Sequence, residues 1–225
     1  MATTGASGAP PVLPDFGPTL PALLRRRLGV RERVTTAVAV GLALLVAAVV
    51  LLQALLTGPE HLVYRAGPTF NIEYPSDVIH RVSPRGAELV RLEASRGTLS
   101  ASITVTPFRL PPYPGNVTSG LLPAYEDGYE QRLRAATTDF VQRDEGSARV
   151  GDAPGYQLGF HTGPAGRFTW GRDILLVSRD EDVRDGVVLR LRWTKPGALS
   201  KGDQHLLDEV RKTFKSFNFG TEQAG

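Results

Sequence analysis

Residues 187–194 read VVLRLRWT. Val187, Leu189, Leu191 and Trp193 alternate with Val188, Arg190, Arg192 and Thr194, a period of two that marks a β-strand with one apolar face. The same alternation recurs upstream. Leu99, Ala101, Ile103 and Val105 interleave with Ser100, Ser102, Thr104 and Thr106; Val90, Leu92 and Ala94 with Arg91 and Glu93; Phe70, Ile72 and Tyr74 with Asn71 and Glu73. Further strands are expected at 140–150, at 156–162 (Tyr156, Leu158 and Phe160 on one face) and at 168–179, whose centre Ile174-Leu175-Leu176-Val177 points to burial on both faces. Alternating strands of this kind make a mainly antiparallel sheet.

Two helical stretches interrupt the strands. Over 121–136, Leu121, Tyr125, Tyr129, Leu133 and Ala136 fall on one face, with Glu126, Asp127, Glu130, Arg132 and Arg134 on the others. Over 200–217, Ser200 and Asp203 form a capping-box pattern ahead of Leu206, Leu207, Val210, Phe214 and Phe217. Between strand and helix, residues 107–120 (PFRLPPYPGNVTSG) read as a loop too rich in Pro and Gly to hold regular structure. Few helices among many strands define the α+β class.

Ahead of this domain stands a different kind of sequence. Residues 34–56, VTTAVAVGLALLVAAVVLLQALL, carry no charge. At 1.5 Å per residue they reach about 34 Å, enough for a hydrocarbon core of about 30 Å. The run is longer than the apolar region of a cleaved signal peptide, and its exit has Leu55 and Leu56 where small residues belong. It is read as one transmembrane helix, a signal anchor. Arg25, Arg26, Arg27, Arg31 and Arg33 precede it, and no Lys or Arg follows until Arg65. The positive-inside rule then puts the N-terminus in the cytoplasm and the C-terminal domain outside. The expected organisation is a cytoplasmic disordered and basic arm at 1–33, the span at 34–56, a linker at 57–68, the extracytoplasmic α+β domain at 69–219 and a tail at 220–225. Residues 19–30 suit either a short interfacial helix or a plain flank of the span.

The pI near 9.4 arises in the arm. Residues 57–225 hold 21 basic and 21 acidic groups. The basic excess therefore reads as a topology signal and not as a binding patch, which disfavours nucleic acid as a partner. The absence of Cys excludes disulfides, thiol catalysis and a lipidated Cys. Arg outnumbers Lys by 22 to 4, the mark of a GC-rich bacterial genome.

No motif for catalysis, cofactor or metal stands out. His61, His80, His161 and His205 lack metal-ligand spacing, and Asp180, Glu181, Asp182 and Asp185 read as a solvated hairpin turn. Gly163–Gly166 is a turn, and neither a nucleophile elbow nor a phosphate-cradling loop is present. The candidate partner-binding residues are Phe108, Leu110, Tyr113 and Val117 in the Pro-rich loop, set against a loop packed over its own domain.

The run Phe70-Asn71-Ile72-Glu73-Tyr74-Pro75 and the close Phe214-Lys215-Ser216-Phe217 resemble the opening and the end of PsbP-like superfamily domains. Many such openings carry a Trp after the Pro, where Val78 and Ile79 stand here. The resemblance implies an α+β fold with a mainly antiparallel sheet and two helices. It also implies a non-catalytic role in binding other proteins, since its members include an extrinsic photosystem subunit, a nuclear-import factor that binds a small GTPase, and bacterial envelope proteins. The leading expectation is a membrane-anchored accessory domain of the cell envelope that binds an envelope protein and is not an enzyme. The alternatives are a small-ligand or lipid-binding module with a cavity between the sheet and the 121–136 helix, and an uncharacterised hydrolase-type enzyme.

Overall fold

The computed structural model describes residues 30–56, 59–178 and 184–221, and the side chains of the first segment over 37–52. The chain divides into two units, Met1–Leu56 and Thr57–Gly225.

In the first unit one helix, α1, runs over Val30–Leu56. Every described side chain in it is exposed, with Val38 at 64%, Leu44 at 67%, Leu45 at 62% and Leu51 at 64%. Among the described residues no helix is long and apolar enough to cross a membrane. The described side chains cover about 24 Å of helix, and the expected span Val34–Leu56 extends past them at both ends.

The second unit is α+β. Its strands are β1 (Glu60–Tyr64), β2 (Phe70–Tyr74), β3 (His80–Val82), β4 (Val90–Arg96), β5 (Leu99–Arg109), β6 (Val141–Val150), β7 (Ala153–Thr162), β8 (Thr169–Val177), β9 (Asp185–Thr194) and β10 (Asn218–Phe219). Helix α2 spans Leu122–Ala136 and α3 spans Lys201–Lys215. The strands form two antiparallel sheets, a small one ordered β1-β2-β10 and a seven-stranded one ordered β3-β4-β5-β9-β8-β7-β6. VVLRLRWT lies in β9 at the centre of the larger sheet, hydrogen-bonded to β5 and β8.

Alternation in β9 sends its residues to two cores. Val187, Leu189 and Leu191 join Val90, Leu92, Ile103, Val105, Ile174 and Leu176 on one face, closed by α3 and by Phe70 and Ile72 of the small sheet. Leu206, Leu207, Val210 and Phe214 are the buried stripe of α3. Each is worth about 1.5–3 kcal/mol when withdrawn from water. Its start is fixed as expected: the Ser200 hydroxyl accepts from the Asp203 amide at 3.1 Å, and the Asp203 carboxylate accepts from the Ser200 amide at 2.9 Å. On the opposite face Leu158, Leu175, Val177 and Val188 pack with Leu110 and with Leu122 and Tyr129 of α2.

Four expectations need correction. The supposed linker contains β1, which pairs with β2 from Glu60↔Tyr74 to Tyr64↔Phe70. A single sheet was expected, and there are two. The Pro-rich stretch is shorter than read, because β5 continues through Pro107 to Arg109. The Leu89 amide donates to the Val105 carbonyl, so Val105, and with it Pro107 two residues on, presents its backbone toward the β4 side. The β4 ladder ends at Val90↔Val105, so the missing N–H of Pro107 costs no ladder bond. The other end of the stretch is a π-helical turn, Val117–Leu121, leading into α2. Finally, Glu126 does not face outward. Leu122, Glu126 and Tyr129 are the buried residues of α2.

Candidate functional site

The residues proposed for partner binding divide. Leu110 is 3% exposed and belongs to the core beneath α2, while Phe108 and Val117 pack at its margin. Phe108 stacks on Tyr125 with ring centroids 5.2 Å apart. Tyr113 alone of the four is exposed, at 42%. Its ring lies against Gly115 and Gly120, where an added Cβ would stand 2.7 Å and 2.5 Å from Tyr113 atoms. The loop thus closes the domain and presents one tyrosine. Of the acidic turn, Asp180, Glu181 and Asp182 lie outside the described residues, and Asp185 begins β9 beside Arg109 at 3.6 Å. Among the described residues no group of three or more His, Asp or Glu is placed to hold a metal ion.

The α2 side of the large sheet holds a buried polar centre. The register Thr104↔Arg190, Asp173↔Arg190 and Leu158↔Asp173 puts these residues in one row. Asp173 is 0% exposed. Its carboxylate accepts from both terminal nitrogens of Arg192, the Nη2 bond at 2.8 Å, and from the Tyr129 hydroxyl at 2.5 Å. Arg190 Nε donates to the Tyr129 oxygen at 3.1 Å. Burial, with the Asp173 charge beside it, pushes the Tyr129 phenol far above its ordinary range. The Arg192 guanidinium rests 4.6 Å from the Phe160 ring centroid. Phe160 reaches that place because Gly171 opposite it has no side chain, and a Cβ there would stand 2.5 Å from the ring. Two hydrogen bonds from one fork and one from a phenol engage both carboxylate oxygens, so the centre pins α2 to the sheet and holds Asp173 as a structural ion.

A cleft opens on the other face. There the register aligns two successive rows across the strands. One row is Trp193, Trp170 and His161; the next is Leu191, Arg172, Gly159 and Asp144. Trp170 and Trp193 are the only tryptophans in the chain and stack at 5.7 Å with planes 15° apart. Gly159 leaves a gap that the Asp144 carboxylate fills, holding Arg172 at 3.3 Å. At this point β6 bulges. Gln142 pairs with Phe160 and Asp144 with Gly159, so Arg143 is the extra residue. Bulges re-aim side chains, and this one brings the Arg143 guanidinium 5.9 Å from the Trp170 ring centroid. The last turns of α3 supply the wall through Arg211, Phe214 and Lys215. The volume of the open cleft is about 350 Å³.

Four cations line this cleft against the single carboxylate of Asp144. Arg172 is held by Asp144, and Arg211 by Asp208 at 3.1 Å. Among the described residues Arg143 and Lys215 have no ion-pair partner. A domain whose charges cancel in total therefore concentrates cations locally, which charge counting along the chain does not see. Both tryptophans fall within the strands read from the sequence, and Arg172 follows Trp170 by two. What linked them to Arg143, Arg211 and Lys215 was register, a bulge and helix docking. Pattern alone carries no trace of these.

No family profile matches the chain, and no curated protein matches it in sequence. Solved structures similar to it include LpqN, described as involved in cell envelope biogenesis of Mycobacterium tuberculosis, at 14% identity over 71% of this chain and 90% of that one, with a TM-score of 0.44. The cyanobacterial PsbP (CyanoP) of Synechocystis sp. PCC 6803 is 11% identical over 73% of this chain and 94% of its own, with a TM-score of 0.48. The Ran-binding protein Mog1p of Saccharomyces cerevisiae is 12% identical over 72% and 96%, with a TM-score of 0.45. At these values the likeness is one of general outline.

Proposed function

We propose that this protein is a single-pass membrane protein of the bacterial cell envelope, with its N-terminus in the cytoplasm and an extracytoplasmic, non-catalytic domain that binds an envelope protein as an accessory subunit. The observation that carries the anchor is α1. Its side chains from Val38 to Leu52 are apolar on every side of the helix and all exposed. A helix without a polar face needs an apolar surrounding, and lipid supplies it. Tyr113, an exposed aromatic seated on two glycines, is a rigid contact for a protein partner. The PsbP-like resemblance of the sequence agrees with a binding role. A second reading, a small-ligand module, is favoured by the cationic cleft and not by the space beneath α2, which Leu122, Tyr129, Leu158, Leu175 and Val188 occupy.

The native chain has no Cys, so single cysteines report topology without background. Ser7→Cys and Thr221→Cys variants are made in full-length protein and treated in intact cells with a membrane-impermeant maleimide. The expected result is labelling at position 221 and none at position 7 until the cells are opened. Labelling of both or neither in intact cells, or release of the protein by alkaline carbonate, overturns the anchor. Native mass spectrometry of the gently extracted protein tests the partner. A retained protein supports the accessory role, and a retained small molecule with no protein favours the second reading.

A further inference from the structure

We infer that the cleft between β7–β9 and the end of α3 is a binding site for a small phosphorylated ligand, its phosphate held by Arg143, Lys215 and Arg211 and its remaining body against the Trp170–Trp193 pair. The inference rests on the binding-domain reading and deepens its small-ligand form.

The argument begins with charge. A concave site that gathers four cations around one carboxylate repels cations and attracts an anion. Asp144 and Asp208 each pair with one of the four, which leaves two positive charges uncompensated, so an occupant with two negative charges fits better than a single carboxylate. Phosphate supplies that charge with several acceptor oxygens, matched to guanidinium forks and to the point charge of a lysine. Arg143 and Lys215 have no ion-pair partner among the described residues, so they are available without breaking an internal bond.

Placement is the second part. The bulge fixes the origin of Arg143, and Trp170 gives its guanidinium a face to lie on. Arg211 and Lys215 are four apart on one face of α3, whose Phe214 is anchored in the core at 4% exposure. The three cations assigned to the phosphate therefore arrive from two elements, β6 and α3, that are each held independently. The cleft is also of the right scale, since about 350 Å³ is at the lower end of small-molecule pockets. Phosphate chemistry can come from a free metabolite or from a lipid headgroup, and the experiment separates them.

Because both tryptophans of the chain line the cleft, intrinsic fluorescence reads it directly. Full-length protein in a neutral detergent is titrated with glucose 6-phosphate, with glucose as the uncharged control, and, after reconstitution, phosphatidylglycerol vesicles are compared with phosphatidylcholine vesicles. The expected result is a saturable change with glucose 6-phosphate and none with glucose, weakened at least about tenfold by Arg143→Gln with Lys215→Gln and weakened again by added salt. A change with phosphatidylglycerol alone, equally lost in the variant, supports the site and assigns the headgroup source. No change with either phosphate source, an equal change with glucose, or a change that survives the double substitution overturns the inference. Should the variant not fold, quenching decides on the native protein. Iodide must quench more strongly than neutral acrylamide, with glucose 6-phosphate protecting. The maleimide topology result is independent of all these outcomes, so loss of the ligand leaves the anchored-domain reading standing, and the reverse.

Discussion

Glu126→Gln is expected to stabilise the domain at alkaline pH and to leave it unchanged in mild acid. Glu126 is 1% exposed, and among the described residues neither carboxylate oxygen has a hydrogen-bond partner. Burial raises its pKa from 4.5 to about 7, helped by the negative charges of Glu145 on β6 and of Glu130 and Asp127 on its own helix. Tyr156 on β7 faces the same cluster, and its phenol is raised too, by burial first and then by Glu145, Glu126 and Asp127. The sign follows from proton counts. Between pH 4.5 and about 7 the unfolded chain has released the Glu126 proton while the folded chain keeps it. The unfolded state binds fewer protons, so stability falls as pH rises through this window and stays low above it. At about 1.36 kcal/mol per pH unit the interval is worth about 3 kcal/mol at most. Glu126 lies near exposed Glu145 on the edge strand β6, where water moderates the penalty, so about 2 kcal/mol is the working value. Gln cannot ionise and mimics the protonated acid. Urea unfolding of wild type and variant at about pH 4 and about pH 8 reads the difference: near zero in the acid buffer, about 2 kcal/mol in favour of Gln in the alkaline one. A variant that is equally stable at both pH values, or less stable than wild type in the alkaline buffer, refutes the account, because it means the carboxylate is solvated or paired.

Other substitutions probe the rest of the domain. Tyr129→Phe removes the phenol from Asp173 and is expected to cost about 1.5–3 kcal/mol of unfolding free energy in urea, the range for a hydrogen bond to a charged group. Asp173→Asn leaves the Arg192 guanidinium facing a neutral group and is expected to cost about 3 kcal/mol, with a double-mutant cycle against Tyr129→Phe showing a coupling well above roughly 0.5 kcal/mol, the limit for independent sites. Gly155→Ala places a Cβ 2.4 Å from the Leu175 carbonyl oxygen; a paired backbone cannot yield, so about 2 kcal/mol or more is lost, as measured by thermal melting. Ser200→Ala removes one half of the α3 capping box and is expected to lower stability by about 1 kcal/mol in the same assay.

Much of this fold was legible because period-two alternation survives in strands with one face in a core. Leu99 to Val105 and Val187 to Trp193 reveal both their identity and their inward face. The α3 helix was legible for a similar reason, since the Ser200–Asp203 cap and its apolar stripe agree with one another. The misreadings share a physical cause, which is context that lies outside the local window. Pro107 reads as a breaker until its missing N–H is seen to face the side where the β4 ladder has ended. Glu126 reads as surface because carboxylates belong in water, yet at i+4 from Leu122 it shares that residue's buried face. Glu60–Tyr64 is too short and too polar at its ends to declare itself, and becomes a strand only through β2. The cleft was the least legible part. Its cations come from β6, β8 and α3, and a neutral total concealed them.

The two faces of the large sheet divide the work by how completely their helices cover them. Beneath α2, the charged residues of β8 and β9 are consumed internally: Asp173, Arg190, Arg192 and Tyr129 satisfy one another. A closed network of this kind fixes the helix to its register and offers little to a ligand. On the opposite face α3 packs on β2, β4 and β5, and the rows beyond its end at Trp170 and Arg172 stay open to the cleft. Their floor is a continuous antiparallel ladder from β9 through β8 to β7, so the tryptophans and Arg172 are held before any ligand arrives. A preorganised floor means that binding need not order a loop or move a helix. It follows that a ligand in the cleft raises the melting temperature without altering the far-ultraviolet circular dichroism, and that the rise is lost in the Arg143→Gln, Lys215→Gln protein. A ligand-induced change in secondary structure contradicts a preformed site and moves attention to the Tyr113 loop.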